Sequence, residues 1–163
     1  TPMIIMTPKS LLRHPFAASP VEEFTNNEFS KIIEYEPENK NNVHNLVLCS
    51  GKIIVDLLDE QNKPKNQNCT IVSIEELYPF PFKELESILI KNKNINQIIW
   101  IQEEPKNRGA WQFVSNQLNK SSLLKDLELK YYGSTERAST SVGTSELHKI
   151  QIETITSNFS QLK

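Results

Sequence analysis

Glycine is scarce: four occur in 163 residues, at 51, 109, 133 and 143, against a usual share of ~7%. With so few, no G-x-G-x-x-G dinucleotide fingerprint can be written, and each remaining glycine is a candidate for a positive φ or a close backbone approach. Arginine is scarcer, at 13, 108 and 137 only, while Lys supplies fifteen of the eighteen basic residues. Asn occurs sixteen times and Ile seventeen, a drift expected of an AT-rich genome. The surviving arginines therefore stand out as places where a planar, bidentate contact is required. Charge of one sign is also missing. Eighteen Lys+Arg against twenty Asp+Glu leave a net charge of −2, with no basic excess to release counterions from nucleic acid.

Long hydrophobic runs are absent too. The longest, such as Met3–Met6 and Ile98–Ile101, are four residues, whereas a spanning helix needs ~20 and a signal peptide at least ~7. A membrane span and a visible targeting segment are both unexpected. The two cysteines, Cys49 and Cys69, lie in apolar runs and read as reduced, buried thiols of an intracellular protein. No two Cys or His residues fall at a close metal-ligand spacing.

What is present reads as one domain's worth of chain. Pro2 to Met6 reads as a short buried strand, beginning abruptly at Thr1 as a fragment would, and Pro8, Pro15 and Pro20 punctuate a crossing. Residues 1–20 are thus expected to be the end of one unit plus a linker, and 21–163 a domain. Ser19-Pro20-Val21-Glu22-Glu23 opens a short helix with a Ser cap and acids near the positive dipole end. From Val43 onward apolar runs alternate with helical spacing. Strands are expected at Val43–Cys49, Cys69–Ile74, Ile98–Ile101 and Leu127–Tyr132, and helices near Ile53–Leu58, Phe82–Leu89, Gly109–Leu118 and Ser145–Phe159. This alternation implies an α/β fold, a three-layer α/β/α sandwich with parallel strands covered on both faces.

Open α/β sheets do their work at the carboxyl ends of the strands. There Ser50-Gly51-Lys52 fails as a phosphate loop, because Leu46 stands where the first Gly and Ile53 where a Ser or Thr would be needed; Ser50 as a helix cap beside a close-packed Gly51 is preferred. His14, His44 and His148 all lie away from strand ends, which disfavours a nucleophile triad. Glu103-Glu104 reads either as a catalytic pair or, preferably, as one carboxylate holding a neighbouring loop or chain through backbone N–H groups, since adjacent residues leaving a strand diverge. Pro105 to Trp111 carries Asn107, Arg108 and Trp111, types enriched where a surface is recognised. Gly133 to Gly143 is a Ser/Thr-rich loop around Arg137. On these grounds alone the reading stops at an interaction or regulatory domain.

Four strings go further: "MTPKSLLRHP" (Met6–Pro15), "LCSGKI" followed by "DLL" (Leu48–Leu58), "IEELYPFP" (Ile74–Pro81) and "WIQEEPKNRGAW" (Trp100–Trp111). Together they resemble the C-terminal region of 2-oxoglutarate dehydrogenase, the thiamine-diphosphate-dependent decarboxylating component of the 2-oxoglutarate dehydrogenase complex. The resemblance implies a transketolase-like C-terminal domain: a five-stranded, mostly parallel sheet with one antiparallel strand, for which Phe29–Ile33 is the candidate. Thr1 to about Pro15 would be the end of the preceding pyrimidine-binding domain, with a linker up to residue 20. Oxidative decarboxylation of 2-oxoglutarate, with succinyl transfer to the lipoyl group of a dihydrolipoyl succinyltransferase partner, is implied for the full enzyme. Thiamine diphosphate and magnesium are implied there and not in this chain, which is expected to be inactive alone and to carry no catalytic, cofactor-binding or metal residue.

The implied work of the chain is homodimerisation, domain positioning and sensing of an acetyl-coenzyme A or AMP effector. Lys9, Arg13, His14, Glu103, Glu104, Asn107, Arg108, Gly109 and Trp111 are the interface or positioning candidates. Gly133, Arg137, Ser139 and Gly143 are the effector-loop candidates. Ser134 replaces an Arg usual in the family, Thr140 a Pro, and Arg108 a common Gln, so effector contacts through that loop do not follow from the motifs. The implied compartment is the cytoplasm of a bacterium, or the mitochondrial matrix in a eukaryote. A free-standing flavodoxin-like module for a nucleotide or coenzyme A is the rival reading; the matching piece of a transketolase, pyruvate dehydrogenase or deoxyxylulose phosphate synthase is a third.

Overall fold

A computed structural model describes residues 2–26, 28–39, 43–61 and 68–162. Five strands form one sheet in the order β1-β3-β2-β4-β5, where β1 is Ile32–Tyr35, β2 Asn45–Cys49, β3 Cys69–Ile74, β4 Gln97–Gln102 and β5 Glu128–Gly133. Helices α1 (Val21–Asn26), α2 (Ile53–Gln61), α3 (Phe82–Lys91), α4 (Trp111–Leu118) and α5 (Ser145–Phe159) alternate with them. β2 pairs in parallel with β3 and β4, and β4 with β5, while β1 alone runs antiparallel, Ile33 opposite Ser73. The expected α/β class and mixed sheet are both observed.

The three layers follow from the two-residue period of the strands. Leu46, Leu48, Val72, Ile74, Ile98 and Trp100 point to one side, where they meet Leu85 and Ile88 of α3 and Val114 and Leu118 of α4. Val47, Cys49, Ile71, Ile99 and Ile101 point to the other, against Ile53 and Leu57 of α2 and Ile155 and Phe159 of α5. Every residue of β2 and β3 is buried, which is why these strands read as continuous apolar runs. Among the described residues no helix is long and apolar enough to cross a membrane.

Three expectations are corrected. Met3–Met6 forms no strand: these residues are 75–90% exposed, because they pair with no strand among the described residues. The antiparallel strand is Ile32–Tyr35 and not Phe29–Ile33, and Phe29 stays 74% exposed; the paired register with β3 runs from Ile32 opposite Ile74 to Tyr35 opposite Ile71. Helix α4 starts at Trp111, two residues after Gly109, whose φ of +62° ends the preceding turn in a left-handed conformation.

Candidate functional site

Strand order reverses at β2, which has β3 on one side and β4 on the other, so the crevice outside the carboxyl ends of β2 and β4 is where an open α/β sheet binds ligands. A cavity of ≈ 520 Å³ lies there, walled by Ser50 and Gly51 after β2, Tyr78 after β3, Gln102 and Glu104 at the end of β4, and Phe113 of α4. The Tyr78–Pro79 bond on its rim is cis.

Gln102 is the hub of this end of the fold. It is 2% exposed, and the strand period sets it on the Trp100 side of the sheet. Its Oε1 accepts from Trp100 Nε1 at 2.8 Å and from the Trp111 backbone N–H at 3.0 Å. Its Nε2 donates toward the carbonyls of Glu104, Pro105 and Arg108 at 3.2, 3.1 and 2.9 Å. One buried amide therefore holds the whole 104–111 turn, and a buried amide must be satisfied in this way. Gly109 completes the fit: a Cβ there would stand 3.1 Å from both Gln102 side-chain heteroatoms and from Glu104 Oε2. Sequence reasoning missed Gln102. The available signal was a polar residue closing an apolar run two positions after a Trp, on the same face.

The turn in turn holds the next loop. Asn107 Nδ2 donates to the Arg137 carbonyl at 3.0 Å and its Oδ1 accepts from the Arg137 N–H at 3.1 Å. Arg108 Nη2 donates to the Ala138 carbonyl at 3.2 Å, and the Lys106 N–H to the Ser134 carbonyl at 3.0 Å. Tyr131, its ring tilted at 54° against that of Trp111 with centroids 5.1 Å apart, donates to the Ser134 carbonyl at 3.0 Å. The positioning candidates Asn107, Arg108, Gly109 and Trp111 and the effector-loop candidates Gly133 and Arg137 thus form one unit. Gly133 is needed by proximity: a Cβ would meet the Tyr131 hydroxyl at 2.5 Å and the Gln102 carbonyl at 2.9 Å. Ser139 and Gly143 are exposed.

Glu103 and Glu104 diverge, as adjacent residues should. The Glu103 carboxylate pairs with Lys52 at 3.3 Å, and Lys52 also pairs with Asp56 at 3.0 Å. Burial pulls the Lys52 ammonium down, but hydrogen bonding to Asp56 and the Glu103 and Asp56 charges outweigh it, so its pKa is raised. Glu103 therefore grips a lysine and not the backbone N–H groups of a loop; the loop-holding falls to Gln102 and Asn107. Helix α2 begins at Ile53, three residues after Ser50, and open space surrounds Gly51, whose φ is +78°; Gly51 serves conformation, not close packing.

Lys9, Arg13 and His14 lie apart from this crevice on the largely exposed segment before α1, where His14 Nδ1 accepts from the Phe16 N–H at 3.3 Å. His44 Nδ1 lies 3.3 Å from the Asn94 carbonyl at the opposite end of the sheet. Cys49 and Cys69 are buried cysteines; burial pushes both thiols up, Cys69 to about 12. Among the described residues no three His, Cys, Asp or Glu side chains gather as a metal site. With one carboxylate tied to Lys52 and a helix start lacking a glycine-rich cradle, the crevice does not fit a diphosphate and its magnesium ion.

The site is a braced strand-end loop at the carboxyl edge of a three-layer α/β domain. The family described as 2-oxoglutarate dehydrogenase C-terminal matches residues 18–159, and the chain belongs to it. It is 44% identical over 157 residues to a 2-oxoglutarate dehydrogenase E1 component from a Geobacillus species, a match covering 94% of this chain and 16% of that protein. An Exiguobacterium E1 component is 43% identical over 91% of this chain and 16% of its own length. The oxoglutarate dehydrogenase of Buchnera aphidicola is 42% identical, covering 92% of this chain and 16% of that protein. The chain thus spans about a sixth of the relatives it matches.

Proposed function

We propose that the chain works as the C-terminal domain of a 2-oxoglutarate dehydrogenase E1 component, an oxidoreductase that decarboxylates 2-oxoglutarate and passes the succinyl group to the lipoyl arm of its dihydrolipoyl succinyltransferase partner. The observation that carries this reading is the family match over residues 18–159. In it, thiamine diphosphate and magnesium are held by other parts of the full-length protein, and the cofactor supplies the electron sink. This chain contributes structure. The Gln102–Asn107 brace fixes the strand-end surface against which neighbouring domains and the second subunit pack. The exposed Met3–Met6 segment fits the closing piece of a preceding domain, with residues 21–163 as the domain proper. Lys9, Arg13 and His14 join the two, and the 133–143 loop is the surface for an acetyl-coenzyme A or AMP effector. The compartment is the bacterial cytoplasm, or the mitochondrial matrix for a eukaryotic source.

The test is 2-oxoglutarate decarboxylation with thiamine diphosphate, magnesium and an artificial electron acceptor, run on the full-length protein and on residues 1–163 alone. Activity confined to the full-length protein is expected. Turnover by residues 1–163 alone would overturn the assignment of a purely structural role.

A further inference from the structure

The crevice outside β2 and β4 joins an apolar lining to one uncommitted charge. Leu77, Tyr78 and Phe113 stand on its walls, and Tyr78 is 82% exposed, an aromatic ring left in water at the rim. Aromatic rings so placed are enriched where proteins meet. Glu104 lines the same crevice. Its backbone is fixed, the carbonyl accepting from Gln102 Nε2 at 3.2 Å. Its carboxylate makes no hydrogen bond or ion pair among the described residues, and Oε2 stands 3.1 Å from where a Gly109 side chain would begin, on the cavity lining. Glu103, one residue earlier, is already paired with Lys52, and Lys52 is shared between it and Asp56. A pinned backbone therefore presents a free carboxylate at the edge of an apolar hollow, and no basic side chain among the described residues answers it.

We infer that this crevice is the socket for an arginine of the same full-length protein, carried by a segment outside residues 1–163, with its stem along Leu77 and Phe113 and its guanidinium stacked on Tyr78 and paired with Glu104. Charge complementarity sets the sign of the occupant. An aliphatic stem suits the apolar wall while the charged head stays at the rim. A guanidinium stacks on an aromatic ring and gives a carboxylate two parallel N–H bonds, which an ammonium cannot do together. The relatives set the source: the match covers 16% of the E1 components, so the greater part of such a protein lies outside it. The inference rests on the reading of this chain as one domain of an E1 component and names a contact on its strand-end surface. Decarboxylation tests that reading and cross-linking tests the contact, so the two fail separately.

The test is photocross-linking in the purified full-length protein, with benzoylphenylalanine replacing Tyr78, an exposed position outside the core, and adducts mapped by mass spectrometry. An adduct is expected with a peptide outside residues 1–163. Its yield should fall about fivefold or more with Glu104→Arg, and less with Glu104→Gln, because a charge-assisted pair is lost in both and repulsion is added only in the first. One arginine of the adduct peptide, changed to Glu, should lower the yield in the same way. Combined with Glu104→Arg, that change should restore most of it, a charge swap that damage to either fold would not produce. Absence of any adduct beyond residues 1–163, a yield indifferent to Glu104→Arg, or no arginine whose reversal Glu104→Arg compensates would each overturn the proposal.

Discussion

Asn107 binds Arg137 as one strand binds another, its amide giving one hydrogen bond to the Arg137 carbonyl and taking one from the Arg137 N–H, at 3.0 and 3.1 Å across thirty residues of chain. Both bonds are exposed to solvent, so each contributes modestly, ~0.5–1.5 kcal/mol. Their leverage is on the loop: with the Lys106–Ser134 and Arg108–Ala138 bonds they fix residues 134–138 to the turn after β4. Asn107→Ala should lower stability by about 1–2 kcal/mol and speed amide exchange in 134–143 far more than in β2 or β3. Asn107→Asp, which keeps the acceptor and loses the donor, should fall between. Equal exchange in loop and core would refute the brace.

Gln102 is less replaceable. Removing its amide strands the Trp100 indole N–H, the Trp111 backbone N–H and carbonyls of the 104–108 turn, in a place where water has little access. Each unsatisfied buried group is worth ~1–3 kcal/mol. Gln102→Leu is expected to destabilise by about 3 kcal/mol or more, read from chemical denaturation. Gln102→Glu should rescue only part of this, keeping the acceptor for both N–H groups while turning a second oxygen onto the turn carbonyls. A Leu variant as stable as wild type would show that the turn is held by something else.

How much of this was legible beforehand depended on burial. β2, β3 and β4 are legible because both faces are covered and apolar residues fill most positions, with Asn45, Thr70, Ser73 and Gln102 as the buried polar exceptions, and α5 is bounded by Thr144 as its cap. β1 was misplaced by three residues: an edge strand with one exposed and three half-buried positions has no continuous run, and the nearby Phe29 drew the assignment forward. Met3–Met6 failed in the opposite way, since an apolar run says only that a partner is wanted. Of the site candidates, Asn107, Arg108 and Arg137 are joined by hydrogen bonds between the turn and the loop, while Lys9, Arg13 and His14 belong to the segment before α1; no sequence pattern shows the tie. Asn107 and Arg137 obey no spacing rule, and Gln102 looked like the polar end of a strand.

The four glycines should separate by mechanism when each is changed to Ala. Gly51 and Gly109 both have positive φ, which costs a non-glycine residue roughly 1–2 kcal/mol. At Gly109 the new Cβ also presses on Gln102 and Glu104, whereas at Gly51 it meets nothing. Gly133 has ordinary φ, but its Cβ would collide with the Gln102 backbone carbonyl and the Tyr131 ring end. Melting temperatures are therefore expected to fall for Gly109→Ala and Gly133→Ala more than for Gly51→Ala, with Gly143→Ala near wild type. A Gly51 variant as damaged as Gly109 would mean that contact adds nothing to conformation.

Tyr131 ties the brace to pH. Burial raises its phenol first; a Gln102 hydrogen bond and the Arg137 charge lower it, the Glu104 charge raises it, and the balance is about 12, against ~10 in an unfolded chain. The folded state therefore holds this proton more tightly than the unfolded one. The stability so gained is fully present below pH ~10 and is lost as pH rises through about 12, because ionisation is easier in the unfolded chain. Cys69, also pushed up to about 12 by burial, acts in the same direction at the other face of the sheet. The alkaline loss should therefore be reduced, not abolished, by Tyr131→Phe. Denaturation curves for the wild type and this variant at a series of pH values from neutrality upward would decide it: the difference between them should hold constant to about pH 10 and then shift steadily toward the variant. A difference that stays flat through pH 12 would place the Tyr131 hydroxyl in solvent, and the hydrogen bond to Ser134 that closes the brace would go with it.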